Sequence, residues 1–177
     1  MEPQTPLLRA EAIQASLRLR PHPVNESNER WTTSLGDAVG LNGLGIHYCR
    51  LPSHTQSTTV HHHSQDEEWL YILSGTGKLI LYDGERVEEK AVSAGDFMGF
   101  KAGPEGARTA HALQSVDSEV RYLCGGTRRS MDMTIYPLEG KVLIVDRNKM
   151  PDERLYADRS ALSTTTPAQE KEGHERA

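Results

Sequence analysis

The sequence predicts an all-β domain of the sandwich or barrel type, and three observations carry that reading. Between Leu41 and Arg147 short apolar or alternating runs recur every eight to twelve residues, the spacing of strands in such folds. The breaks carry turn chemistry: Ser74-Gly75-Thr76-Gly77, Asp83-Gly84, Ala94-Gly95-Asp96 and Gly103-Pro104-Glu105-Gly106 supply residues that tolerate positive φ or preset a turn. No long helical pattern separates consecutive strands, which excludes a βαβ architecture.

Residues 1–40 read as an arm and linker. Leu7, Leu8, Ile13 and Leu17 supply one amphipathic turn or strand, Pro21-His22-Pro23 and residues 25–30 read as a connection, and the arm is expected to lie across the core. The barrel is expected over 41–147, with strands at 44–51, 58–63, 68–73, 77–82, 86–92, 96–101, 110–115, 120–125 and 141–145. In the run 68–73, Leu70 and Ile72 share a face with Glu68, whereas Trp69, Tyr71 and Leu73 share the other. Both faces therefore need cover, and a homodimer is expected to provide it. Residues 148–177 read as a largely polar tail open to disorder, because from Pro151 onward only Leu155, Tyr156 and Leu162 are large and apolar. Residues after Leu162 are expected to be dispensable for folding.

The 177 residues correspond to one domain, and no repeat is visible. Twenty Lys and Arg against 25 Asp and Glu give a net charge of -5, which argues against a nucleic-acid partner. The longest apolar runs, 69–73 and 142–145, fall far short of the roughly 18 residues of a membrane span. The first twenty residues lack the apolar stretch of a signal peptide, so a cytoplasmic location is expected, with Cys49 and Cys124 as reduced strand thiols. No Gly-x-Ser-x-Gly elbow, phosphate loop or Cys-x-x-Cys pair is present.

The most informative stretch is His61-His62-His63-Ser64-Gln65-Asp66-Glu67-Glu68. Residues two apart on a strand share a face, so His61 and His63 project together and His62 points away. Two imidazoles so placed can share a metal at about 2.0–2.1 Å. Glu68 joins them only if Ser64-Gln65-Asp66 form a turn, and His111 is the best further ligand from a distant strand. His47 shares a face with Cys49 and Leu51, where it could serve as a pocket acid or base or as a hydrogen-bonded core histidine. Lys101 reads as a surface lysine, with anion binding as its functional alternative.

Two segments resemble the motifs of the cupin superfamily. His61 and His63, then four residues, Glu68, six residues and Gly75 fit the first motif; Gly95 to Gly103 followed by His111 resembles the second. The departures are Thr55 for a leading Gly, Lys101 for Pro, Ser115 for Asn, and seven residues instead of two before His111. The resemblance implies a cupin-type double-stranded β-helix, or jelly-roll barrel, with one divalent metal per chain on His61, His63, Glu68 and His111. Fe, Mn, Ni, Cu and Zn all suit three imidazoles and one carboxylate. It further implies a metal-dependent enzyme acting on an oxygen-rich small molecule, by oxygenase, isomerase, cyclase or decarboxylase chemistry; the alternative is a non-catalytic module that binds or senses a small ligand.

Overall fold

The computed structural model describes residues 5–149 and 151–162. Among them run β1 (Arg18–Pro21), β2 (Glu29–Ser34), β3 (Leu44–Leu51), β4 (His62–His63), β5 (Glu68–Ser74), β6 (Thr76–Tyr82), β7 (Val87–Ser93), β8 (Phe97–Phe100), β9 (Ala110–Ser115), β10 (Val120–Thr127), β11 (Met131–Tyr136), β12 (Lys141–Asp146) and β13 (Glu153–Asp158), with short helices α1 (Ala10–Ser16), α2 (Leu35–Ala38) and α3 (Gly103–Gly106). The expectation of a dispensable segment after Leu162 concerns residues outside this set.

The strands build the all-β jelly roll that the sequence predicts. One layer is the six-stranded sheet β1-β2-β3-β10-β5-β8. The other consists of β7-β6-β9 and β13-β12-β11-β4, stitched together by the isolated antiparallel bridges Gln56 to Gln114 and His61 to His111. Between the layers, at one end of the barrel, Cys49, Leu51, Leu70, Ile72, Leu79, Leu113, Val120 and Tyr122 form the core. The opposite end is open and polar.

Local chemistry explains the elements. In β5 the inward Leu70 and Ile72 are buried, while Tyr71 and Leu73 remain 38% and 42% exposed on the outer face, the doubly apolar pattern read from the sequence. Gly75 turns the chain from β5 to β6 at φ +89°, where a Cβ would meet the Glu119 carbonyl oxygen at 2.3 Å. Only glycine fits there without displacing backbone.

Three expectations change. The arm does not lie across the core: β1 and β2 extend the six-stranded sheet at its edge, Trp31 pairing with Arg50 and Thr32 with Cys49. The strand expected at 58–63 shortens to β4 plus bridges; ahead of it the buried Ser57 and Thr59 hydroxyls accept from the distant Leu113 backbone N–H and Asn28 amide. Residues 153–158, read as part of the polar tail, pair along the whole of β12 as β13, an edge strand whose solvent face needs no apolar residues.

Candidate metal centre

The seam between the two halves of the second layer assembles the site. His61 and His111 face each other across their bridge, exchanging backbone hydrogen bonds of 3.1 and 2.8 Å. His63 lies on β4 and Glu68 opens β5, and residues 64–66 make the turn needed to bring Glu68 round. That turn is held by Asp132 of β11, whose Oδ1 accepts the backbone N–H of Gln65 (2.9 Å) and Asp66 (3.3 Å) and the Ser64 hydroxyl (3.4 Å).

Hydrogen bonds fix how each imidazole presents itself. His61 Nδ1–H donates to the Thr59 carbonyl at 3.0 Å and His111 Nδ1–H to the Thr109 carbonyl at 3.3 Å. His63 Nδ1–H donates to Asp132 Oδ2 at 2.6 Å. Each ring thus holds a proton on Nδ1 and turns Nε2 towards the centre, where it can meet a metal or, without one, share a proton with Glu68. All three Nε2 atoms converge on a single oxygen, Glu68 Oε2, at 3.2 Å from His61, 3.4 Å from His63 and 3.1 Å from His111. Phe100 stacks on the His111 ring at an interplanar angle of 3° and fixes its plane.

Three lone pairs and an anion facing one another repel unless a cation or protons lie between them. Ligands held about 2.1 Å from one ion lie roughly 3.0–3.4 Å apart in octahedral or tetrahedral geometry, which these separations match. The donor set therefore fits a divalent metal, with Asp132 as the outer carboxylate that orients a ligating histidine. Burial opposes ionisation of Glu68, yet its three histidine bonds hold the carboxyl well below the usual range. Burial also disfavours the His63 cation, but Asp132 and Glu68 outweigh it and push the imidazole up to about 10. For the more enclosed His111 burial prevails, pulling it down to about 4.

Of the four expected ligands, His61, Glu68 and His111 offer ligand atoms within 4.8 Å of one another, whereas His63, 3.4 Å from Glu68 Oε2, groups instead with Asp66 and Asp132 in a second cluster. Its oxygens are already engaged: Asp66 accepts the Arg129 backbone N–H at 2.8 Å and pairs with Arg147 at 2.9 Å, while Asp132 holds the turn and His63. It acts as the support of the first cluster.

The centre opens into a cavity of about 790 Å³ lined also by His47, His22, Arg30 and Tyr136. His47 is half-buried, its Nδ1 3.5 Å from the Thr32 hydroxyl, and burial with the charges of Arg30 and Arg128 lowers its imidazole below the ordinary value. Cys49 and Cys124 are free thiols with sulfurs 3.7 Å apart. Lys101 is exposed and paired with Glu105 outside the cavity. His62 does not line the cavity, and its Nδ1 is buried without a partner among the described residues.

The sequence reading missed Asp132, Arg30 and the cavity role of His22. Met131-Asp132-Met133-Thr134 does alternate with period two, a strand signal, but with the polar residues inward.

Residues 47–125 match the family described as "Cupin domain". No curated protein matches the chain significantly. Among solved structures, a protein of Acidithiobacillus ferrooxidans assigned as a sugar phosphate isomerase superposes with a TM-score of 0.77 at 29% identity, covering 91% of this chain and 97% of that one. A sugar phosphate isomerase of the cupin superfamily from Silicibacter pomeroyi gives 0.70 at 22% identity, over 86% and 94% of the two chains. A protein of Thermotoga maritima assigned as an oxalate decarboxylase gives 0.54 at 16% identity, over 70% and 99%. The last two show the shared fold. The matched segment and the barrel topology agree: residues 47–125 form a cupin-type domain.

Proposed function

We propose that the chain is a metal-dependent cupin enzyme that isomerises an oxygen-rich small molecule. The observation that carries the reading is the convergence of three Nδ1-protonated imidazoles on Glu68 Oε2 at the wall of an open cavity. Of the four chemistries the superfamily suggests, isomerisation is favoured by the likeness to the Acidithiobacillus protein along nearly the whole of both chains.

His61, His63, Glu68 and His111 would hold one divalent ion, Fe, Mn, Ni, Cu or Zn. Such an ion polarises a carbonyl and an adjacent hydroxyl oxygen, acidifying the C–H between them. His47 is the base that the cavity offers for that proton. Burial and neighbouring arginines keep its imidazole neutral, so it can take the proton from one carbon and return it to the next. The net change shifts two hydrogens and consumes no oxidant. Tyr136 and Leu143, on the cavity wall, restrict water around the reacting carbons.

The outer face of the six-stranded sheet, with Trp69 stacked on Phe97 and Phe97 66% exposed, is read as the surface of a homodimer. A cytoplasmic setting, where Cys49 and Cys124 stay reduced, belongs to the same proposal.

The test is deuterium exchange. Protein loaded with each candidate metal is incubated with aldose and ketose phosphates in heavy water, and exchange at the carbon next to the carbonyl is followed by NMR. Exchange is expected for the wild type and its loss for His63→Ala and His47→Asn, with metal content falling only in His63→Ala. No exchange with any metal or sugar phosphate overturns the isomerase reading.

A further inference from the structure

Four arginines line the cavity, and their partners set one apart. Arg128 is paired with Asp37 and Arg147 with Asp66, and Arg154 is exposed. Arg30 has no carboxylate at ion-pair distance among the described residues. It lies on the inward face of β2 beside Thr32, and one Nη1–H donates to the Ser57 carbonyl oxygen. Its Nε is buried and has no hydrogen-bond partner among the described residues.

A guanidinium carries five donors in a rigid fork and cannot shed its charge. Burying it short of both hydrogen bonds and a counter-charge is costly, and the cost is recovered when a ligand brings both. Formal charges point the same way. A divalent ion at the centre would engage Glu68 and Asp132, and none of the other carboxylates that line the cavity, Asp37, Asp66, Glu67 and Asp152, lies at ion-pair distance from Arg30. His22 adds a second donor. Its Nδ1 accepts the Val24 backbone N–H at 3.2 Å, so the neutral ring carries its proton on Nε2, which has no partner among the described residues. Burial, with the charges of His61 and Arg30, lowers this imidazole to about 4, so it stays neutral near pH 7.

We propose that Arg30, assisted by His22, is an oxyanion subsite: it binds a phosphate or carboxylate group of the substrate while the hydroxyl and carbonyl oxygens reach His61, His63, Glu68 and His111. The placement of that reacting end rests on the proposed isomerase reading; the anion site rests on the surroundings of Arg30 alone. The chemistry recognised is a small polyol bearing one oxyanion, which an Arg fork contacts through two parallel hydrogen bonds.

Calorimetry on the full chain, metal-free and metal-loaded, tests this with four probes: inorganic phosphate, a hexose phosphate, the corresponding hexonate and the unsubstituted hexose. At least one anionic probe is expected to bind the metal-free protein, and the neutral hexose is not. Arg30→Gln should weaken anion binding about ten- to hundredfold, the worth of hydrogen bonds to a charged group. Metal content should stay unchanged, and the ligand-free melting temperature should hold or rise because a half-buried charge with an unpartnered Nε is gone. Hexose phosphate binding without hexonate identifies a phosphate as the occupant; the reverse identifies a carboxylate. Should Arg30→Gln fail to fold, Arg30→Lys decides, since an ammonium keeps the charge but not the fork: severalfold weaker anion binding with metal retained supports the subsite, and wild-type affinity overturns it. Equal binding of anion and neutral hexose overturns it as well. Deuterium exchange on the same proteins separates the two proposals. Anion binding lost in Arg30→Gln without exchange in wild type keeps the subsite and removes the isomerase, and exchange with unaltered anion binding does the reverse.

Discussion

Asp132→Asn separates the orienting role of Asp132 from its role in the turn. Its Oδ1 accepts three donors, from Ser64, Gln65 and Asp66, whereas Oδ2 accepts only Nδ1–H of His63 among the ring contacts of the centre. An asparagine in the same rotamer must keep its carbonyl oxygen at the turn, which places its NH₂ against the His63 Nδ1–H. Two donors then face each other across 2.6 Å. His63 must rotate away or move its proton to Nε2, and either change removes a lone pair from the centre. Loss of an outer carboxylate behind a ligating histidine typically lowers metal affinity about 10- to 100-fold, or about 1.4–2.8 kcal/mol. Competition against a chelator, with Zn²⁺ and with Mn²⁺, measures that loss. The melting temperature of the metal-free variant should stay within a few degrees, because the turn keeps its acceptor. Affinity within twofold of wild type would refute the tautomer argument and leave Asp132 as a turn residue only.

Glu68→Gln should lower turnover and metal affinity while the metal-free protein melts within a few degrees of wild type, since the amide oxygen can still accept from an imidazole N–H; a marked fall in melting temperature with turnover intact would make the metal a structural staple. Light scattering at micromolar concentration should show a dimer for wild type and a monomer for Phe97→Glu, which puts a charge on the most exposed aromatic of the outer sheet face; a monomeric wild type removes that surface. His22 is neutral in the fold, its imidazole lowered from 6.5 to about 4, so the unfolded chain binds more protons between those values. The stabilisation is full above pH 6.5 and is lost as pH falls towards 4, by about 3 kcal/mol. Melting curves from pH 7 to 4 should therefore fall more steeply for wild type than for His22→Gln, and parallel curves count against the buried neutral ring. Gly75→Ala should destabilise by roughly 2 kcal/mol or more, by denaturant titration, from positive φ and the 2.3 Å approach to Glu119; an unchanged midpoint would mean that the turn relaxes freely.

The parts of the fold that were legible are those whose apolar residues point inward. β3, β5, β6 and β9 alternate or run apolar over a dry core, and their bounds lie within a residue of the expected ones. The strands missed are those that line the cavity or close an edge. In β2 the inward positions are Arg30 and Thr32, and in β11 they are Asp132 and Thr134, so the usual code is inverted where the barrel is wet. The four converging side chains were readable because three come from one short segment with spacing fixed by a strand and a turn. His111 was placed as the polar start of an alternating run on a distant strand, and the resemblance to the second motif agreed. Asp132 and Arg30 were not readable, because their significance lies in what they touch across the barrel.

The bridge between His61 and His111 also bears on how the chain finds its fold. Those two residues close a loop of about 50 residues that contains β5 to β8, a chain-entropy cost that depends weakly on length but falls before any contact rewards it. Backbone pairing at the bridge is isolated, a single residue on each side, so it offers little cooperative protection by itself. An ion shared by both rings would cross-link the ends of this loop after closure, in the manner of a reversible staple, and bias the open and closed forms by mass action. Amide hydrogen exchange at His61 and His111 should then slow with metal concentration, while the amides of Leu51 and Ile72, deep in the dry core, should respond only to global unfolding.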